Sequence, residues 1–111
     1  MEPRLKAAIW VSAHLRICAA QGITAVIARH GDDTAGSVLI KLNLLDGRAR
    51  LFEPTFAHTG ARVWRSVTGP EPVAEAKADE AVARALKRDP DLWVIEIEDR
   101  QGRHGLTEPV A

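Results

Sequence analysis

Three carboxylates, those of Asp91, Glu96 and Glu98, are the first candidates for chemistry, and they lie within DPDLWVIEIEDR, residues 89–100. If this segment is a β-strand, Glu96 and Glu98 share one face, with Cα atoms roughly 7 Å apart. Two carboxylates at that spacing could hold a divalent cation only with oxygen ligands from another element. The three residues are therefore weak metal candidates for a hydrolase. The favoured interpretation is a solvated strand face that forms cross-strand ion pairs.

A second candidate site combines basic and aromatic side chains on a predicted, exposed sheet face. Its members are Lys41, Arg48, Arg50, Phe52, Arg62 and Trp64. Basic groups beside aromatic rings can hold phosphates and stack on bases, so this face suggests a nucleic-acid-binding module. The formal net charge is zero, which argues against that function because no overall field attracts nucleic acid.

The first predicted helix provides a third candidate. Its apolar residues surround most of the circumference, which is typical of a helix covered on more than one side. Trp10 and Ile17 could anchor a protein partner or a second copy of the chain. The alternative is that alanines tolerate exposure and the C-terminal tail covers the rest.

Cofactor binding and nucleophilic catalysis are not indicated. The four histidines lack metal-type spacing, and the only cysteine, Cys18, lies in an apolar stretch where a thiol is usually a buried hydrophobe. The segment RHGDDTAG, residues 29–36, could cradle a phosphate or a cation. Its glycines match neither a P-loop nor a dinucleotide fingerprint, so a tight connector is preferred. We expect no cofactor and no catalytic residue; the sequence leaves the question of enzymatic activity open and favours a protein without it.

Length and composition limit the architecture. The 111 residues, 46% of them hydrophobic, suit one small domain over residues 1–111. Charges come too early for a signal peptide, and no apolar stretch approaches the roughly 20 residues of a membrane span. One cysteine fits a reducing compartment. We therefore expect a soluble, cytoplasmic protein without membrane contact.

Short sequence patterns predict the helix and the strands in the first half of the chain. Residues 4–21 favour a helix that ends at Gly22, although the alternation of apolar residues leaves open a strand over residues 4–11. The segment ITAVIARHG, residues 23–31, is apolar on both faces until Arg29, which predicts a strand that is buried on both sides or lies in the centre of a sheet. Asp46-Gly47 predicts a two-residue type I′ turn, and that turn pairs Lys41 with Phe52. The resulting core face would hold Val38, Ile40, Leu42, Leu44, Ala49 and Leu51, with Lys41, Asn43, Arg48, Arg50 and Phe52 opposite.

The second half continues with a strand in residues 61–69, a helix from Pro70 and Pro72 to Arg88, and a strand over residues 92–98. In that last strand Trp93, Ile95 and Ile97 should share one face. The predicted fold class is α+β: a single sheet of four to five mostly antiparallel strands with two helices packed on one face.

The segments IWVSAHLR, RHGDDTAGSVLIKL and DPDLWVIEIEDR resemble a family of small bacterial proteins catalogued as domain of unknown function 1491. The resemblance covers nearly the whole chain. The matching residues are Ile9, Trp10, Val11, Arg16, Gly22, Arg29, Gly31, Asp32, Ala35, Gly36, Asp89, Pro90, Asp91, Leu92 and Trp93. It implies a single-domain protein that usually stands alone, and it implies no activity. His30 departs from the second basic residue expected at that position.

Taken together, these features favour a non-catalytic binding or adaptor domain that acts through protein–protein contacts, with a protein partner or a homodimer. The nucleic-acid-binding module is the alternative, and the metal-dependent hydrolase ranks third.

Overall fold

The computed structural model describes residues 6–110, which form two helices and six strands. In chain order these are α1 (Ala7–Ala20), β1 (Thr24–Arg29), β2 (Val38–Asn43), β3 (Arg48–Phe56), β4 (Arg62–Ser66), β5 (Val73–Ala74), α2 (Glu75–Arg88) and β6 (Trp93–Glu98). Residues 7–11 are helical, so the alternative of a strand there is wrong; Arg4 and Leu5 lie outside the described residues. Neither helix is long and apolar enough to cross a membrane within this part of the chain.

One open sheet contains all six strands, in the order β1-β6-β2-β3-β4, with β5 paired to β3. The β1–β6, β2–β3, β3–β4 and β3–β5 pairs are antiparallel, whereas β2 and β6 run parallel. The predicted α+β class and the mostly antiparallel single sheet are confirmed. The number of strands is slightly higher than predicted.

The two helices lie on opposite faces of this sheet, which corrects the prediction that both pack on one face. Val38, Ile40 and Leu42 of β2 belong to the same core cluster as residues of α1. Leu39, which points the other way, packs in a second cluster with Ala81 of α2. On the α2 side, β2 and β6 also carry the apolar residues Leu39 and Val94, both buried, so each face of the sheet has a covering layer.

The β2–β3 hairpin differs from its predicted register by one residue. Ile40 pairs with Phe52 and Lys41 with Leu51, whereas the two-residue turn predicted Lys41 opposite Phe52. The loop has three residues, 45–47, because the Leu44 N–H donates to the Arg48 carbonyl at 3.0 Å. A slip of one residue exchanges the two faces of one strand relative to its partner. Phe52 and Arg50 therefore point to the α1 side, together with Ile40 and Leu42.

Side chains near this loop explain why it takes the extra residue. Leu45 adopts a left-handed φ of 61°, and its N–H donates to the Asn43 Oδ1 at 2.8 Å. The Arg48 N–H donates to the Asp46 Oδ1 at 3.0 Å, and Gly47 has a φ of 86°. These local hydrogen bonds offset the cost of a non-glycine residue in the left-handed region.

Strand β1 is an edge strand rather than the doubly buried strand that its apolar run predicted. All of its residues except Ala25 are exposed, including Val26 and Ile27. Helix α2 contacts β2, β3 and β5, so the α2 side of β1 lies open. The apolar run alone could not distinguish a central strand from an edge strand, because the position in the sheet depends on pairing with β6.

The second helix begins later than predicted. Pro70 and Glu71 form a bend, Val73–Ala74 pair with β3 as β5, and α2 starts at Glu75. Pro70 and Pro72 therefore precede the helix by several residues. The predicted end at Lys87 and Arg88 is confirmed, and these two basic residues occupy the last turn. Ala78 is buried, and Val82, Ala85 and Leu86 pack against the second core cluster.

Candidate functional site

The six residues of the predicted basic and aromatic face do not form one exposed surface. Phe52 and Trp64 are completely buried in the core cluster beneath α1. Lys41 is buried on the opposite side of the sheet, against α2. The predicted exposure of these three side chains is therefore wrong. Phe52 is buried because the hairpin register turns it to the α1 side, and Lys41 is buried because α2 covers its side of the sheet.

The three arginines of this set have separate surroundings. The Arg48 guanidinium forms an ion pair with Asp46 at 2.7 Å beside the hairpin loop. Arg62 lies over the Trp10 ring, with its Cζ 5.6 Å from the ring centroid. Arg50 lies over Phe52 at 4.8 Å. The two rings of this set, Phe52 and Trp64, are both buried, so a base could stack on neither of them.

Lys41 is the centre of a compact charge cluster between the sheet and α2. Its Nζ lies 2.7 Å from the Glu75 Oε2, 2.8 Å from the Asp79 Oδ1 and 3.4 Å from the Glu96 Oε1. Glu75 and Asp79 are four residues apart on α2 and so share one helix face. Glu96 is the direct neighbour of Lys41 across the parallel β2–β6 pair. The Asn43 Nδ2 donates to both Glu75 and Glu96 at 3.3 Å.

The chemistry of this cluster is that of a fixed cation. Burial alone would lower the pKa of Lys41, but hydrogen bonds to Asp79 and Glu75 and the charge of Glu96 outweigh it and raise the pKa above its usual value. A lysine needs a lowered pKa to act as a base or a nucleophile near neutral pH. Lys41 therefore remains protonated, and its role is to join α2 to the sheet.

The three acidic residues considered as metal candidates lie apart. Glu96 belongs to the Lys41 cluster. Glu98 is the next residue of β6 on the same face, and it pairs with Asn43 of β2. Asp91 precedes the opposite end of β6, where its carbonyl oxygen accepts the Asp32 N–H at 3.0 Å. Within residues 6–110 no three His, Cys, Asp or Glu side chains converge in a way that could hold a metal ion.

The turn of residues 31–36 is a tightly packed connector. The Asp32 Oδ2 accepts the N–H groups of Thr34 and Ala35, and the Asp32 carbonyl accepts the Trp93 Nε1–H at 2.8 Å. A Cβ atom on Gly31 would overlap the Asp91 carbonyl, and one on Gly36 would lie 2.6 Å from the same oxygen. The glycines thus allow close backbone approach, which is the preferred interpretation made from the sequence.

This turn also closes the start of α1. The Ala8 N–H donates to the Asp33 carbonyl at 2.9 Å, and the Ala7 N–H donates to the Thr34 carbonyl at 3.3 Å. These are two of the N–H groups that a helix N-terminus leaves without intrahelical partners. Because backbone carbonyls occupy them, they are not available to a phosphate.

The predicted anchors on α1 are only partly exposed. Trp10 is half-buried and stacks on His14, with ring centroids 4.9 Å apart, and its ring is tilted against that of Trp64 at 5.5 Å. Ile17 is also half-buried, beside Gly105 of the C-terminal segment. That segment covers this side of the helix, since the His104 carbonyl hydrogen-bonds with the His14 Nε2 at 3.1 Å. Burial raises the pKa of the Cys18 thiol, which keeps it protonated and unreactive.

The free edge of β1 is a feature that sequence reasoning missed. Val26 is 49% exposed and Ile27 43% exposed, on opposite faces of the strand. Among residues 6–110, β1 pairs only with β6, so its outer backbone groups have no strand beside them. The other edge differs, because the Trp64 N–H of β4 donates to the Pro109 carbonyl at 2.8 Å. The apolar run TAVIAR was the available signal, but it was interpreted as burial.

Comparison with known proteins supplies a family and solved relatives. The sequence model of the family described as "Protein of unknown function (DUF1491)" matches residues 5–107. The crystal structure of a DUF1491 family protein from Caulobacter crescentus CB15 has 43% identity and a TM-score of 0.87, over 97% of this chain and 100% of that chain. No curated protein matches.

Two solution structures show the same similarity. The NMR structure of a DUF1491 family protein from Caulobacter crescentus CB15 has 42% identity and a TM-score of 0.83, over 99% of both chains. Protein Atu0922 from A. tumefaciens has 28% identity and a TM-score of 0.75, over 98% of this chain and 100% of that chain.

Proposed function

Given that the chain belongs to the DUF1491 family, which is described only as a protein of unknown function, we propose from its geometry that it is a non-catalytic binding domain that acts through protein–protein contacts. The observation that carries this proposal is the free, apolar edge of β1. The chemically suggestive residues support it, because Lys41 is held by three carboxylates and Cys18 is buried.

Strand addition is the contact that such an edge favours. An exposed edge presents unpaired N–H and C=O groups that another strand can satisfy, and proteins usually protect such edges with charge, proline or a covering segment. β1 has no charged residue before Arg29 and no proline. Its one protective feature is an irregularity between Ile27 and Arg29, which limits regular pairing to residues 24–27.

The partner that fits this edge is a second copy of the chain. Two antiparallel β1 strands can be related by a two-fold axis perpendicular to the sheet. The two sheets then form one continuous sheet, and each β1 residue lies opposite a residue of the second copy that points to the same face. An axis at Val26 would place Val26 against Val26 of the second copy, and Ala25 against Ile27 of the second copy. The two Arg29 side chains would then lie roughly 20 Å apart along the strands, so they would not repel each other strongly.

Sedimentation at increasing protein concentration tests this proposal. We expect the wild type to form a dimer and Val26→Lys to weaken dimerisation at least tenfold, because two lysines would meet at the axis. Ile9→Lys is the matched control, since Ile9 is also a strongly exposed apolar residue but lies on α1. If the two substitutions weakened dimerisation equally, β1 would not be the dimer interface.

The identity of the partner is decided by a second result. If the wild type remains monomeric at every concentration, the homodimer is rejected. A protein retained from native lysate by the wild type but not by Val26→Lys would then identify a different occupant of the same edge. Retention of no protein would refute the binding function itself.

A further inference from the structure

Arg50 differs from Arg48 on the same strand and from Arg65 on β4 in having no acidic partner among the described residues. Arg48 pairs with Asp46 and Arg65 pairs with Glu53. No carboxylate of residues 6–110 lies within ion-pair distance of Arg50, which is half-buried. Its Nη2 makes one long hydrogen bond of 3.5 Å to the Gly69 carbonyl, and its guanidinium lies over Phe52. Its Nε is buried and finds no acceptor in the described part of the chain.

Such an arrangement leaves hydrogen-bonding capacity unused. A guanidinium carries five N–H donors in a fixed fork that matches the oxygens of a carboxylate or a phosphate. A polar donor that is removed from water without an acceptor costs free energy, and a charged one costs more. An anion in contact with the guanidinium would supply part of the missing hydrogen bonding.

The space for an anion is present next to Arg50. A depression of about 590 Å³ lies on the α1 side of the sheet, and its lining residues are Arg50, Ser66, Gly69, Pro70, His104 and Val110. None of them is acidic. The depression is open, so a ligand bound there would keep part of its surface in solvent.

His104 supplies a second donor in this depression. Its Nδ1 accepts the Leu106 N–H at 3.0 Å, so the neutral ring carries its proton on Nε2. No described residue accepts a hydrogen bond from that Nε2–H. Burial, and secondarily the positive charge of Arg50, lower the pKa of His104, which favours the neutral form of the ring at pH 7.

We propose that this depression binds a small organic anion, whose carboxylate or phosphate oxygens accept hydrogen bonds from the Arg50 guanidinium and the His104 Nε2–H. Pro70 and Val110 provide an apolar wall for the carbon part of the ligand. This site is separate from the β1 edge, since Arg50 lies on β3 and two strands stand between β3 and β1 in the sheet. Failure of one proposal therefore leaves the other intact.

The Arg50 Nε–H resonance in a ¹⁵N NMR spectrum reports directly on the buried donor. We expect saturable shifts of this resonance on addition of sodium phosphate or sodium acetate, with sodium chloride used to keep the ionic strength constant. Arg50→Gln should weaken the binding at least tenfold, as followed on the His104 ring signals. Arg48→Gln is the matched control because Arg48 lies on the same strand but is paired with Asp46.

Each outcome of the titration has a defined meaning. Saturation by phosphate alone or by acetate alone supports the site and selects the oxyanion, and saturation by both supports the shared chemistry. Shifts that chloride reproduces, or that Arg48→Gln reduces as much as Arg50→Gln does, overturn the proposal. If Arg50→Gln fails to fold, Arg50→Lys retains the cation without the fork, and unchanged affinity in that variant would also overturn it.

Discussion

Replacement of Lys41 by methionine is the most direct test of how α2 is held on the sheet. Methionine preserves the length and apolar contacts of the buried stem but removes the charge. The carboxylates of Glu75, Asp79 and Glu96, which now converge on the Lys41 Nζ, would then face one another without a cation. Two of the three belong to α2, so their repulsion would act directly on the attachment of this helix.

The size of the effect depends on how far water screens the cluster. Removing one partner of a fully buried ion pair costs about 3–5 kcal/mol. Here the lysine side chain is 8% exposed, but the carboxylates are 37%, 56% and 24% exposed, so part of their repulsion is screened. We therefore expect Lys41→Met to lower the free energy of unfolding by about 2 kcal/mol.

Urea unfolding measured from pH 6 to pH 11 gives the assay. The pKa of Lys41 is raised above its ordinary value of 10.5 in the folded protein, so its stabilisation is complete below that value and is lost as the pH rises through the raised pKa. The difference between wild type and variant should be constant from pH 6 to pH 9 and shrink above pH 10.5.

Lys77→Met on α2 serves as the control, since Lys77 is exposed and forms none of the ion pairs found among the described residues. It should change the free energy of unfolding by less than about 0.5 kcal/mol. An equal loss in both variants, or a Lys41→Met difference that has vanished by pH 8, would refute the assignment of Lys41 as the cation that joins α2 to the sheet.

Two further predictions concern the turn and the core. Gly31→Ala should lower the free energy of unfolding by about 2–3 kcal/mol, because its Cβ would overlap the Asp91 carbonyl. In the control Gly60→Ala the added Cβ meets no atom, and the loss should be only about 1 kcal/mol, which comes from the φ of 83°. Equal losses of the two variants in urea unfolding would contradict this prediction. Burial lowers the pKa of His14 below its ordinary 6.5, so the unfolded chain binds more protons and stability should fall as the pH drops below 6.5. Unfolding at pH 7.5 and pH 5 should show a weaker dependence in His14→Gln.

Element positions could be predicted from the sequence because their signals act over a few residues. Gly22 ends α1 with a φ of 72°, in the left-handed position that favours glycine. Lys87 and Arg88 occupy the last turn of α2, as their interaction with the helix dipole favours. The alternation in β6 placed Trp93, Ile95 and Ile97 on one face, and all three lie in the core cluster beneath α1.

The order of the strands could not be predicted in the same way. Strand β6 comes last in the chain but lies between β1 and β2, and no short-range signal specifies that insertion. The same insertion makes β1 an edge strand and sets Glu96 beside Lys41. Both the exposed apolar edge and the charge cluster therefore depend on contacts between residues that are distant in sequence.

The error in the predicted basic face can be traced to Asn43 and the loop that follows it. Asp46-Gly47 alone favours a two-residue turn, but the Asn43 Oδ1 accepts the Leu45 N–H and stabilises a three-residue loop. The Asn43 Nδ2 meanwhile donates to Glu75 and Glu96 of the Lys41 cluster. The Asn43 side chain thus hydrogen-bonds both with the loop that determines the hairpin register and with two of the carboxylates that surround Lys41. Since Glu75 and Glu96 come from other elements, the register that buries Phe52 depends on the complete fold.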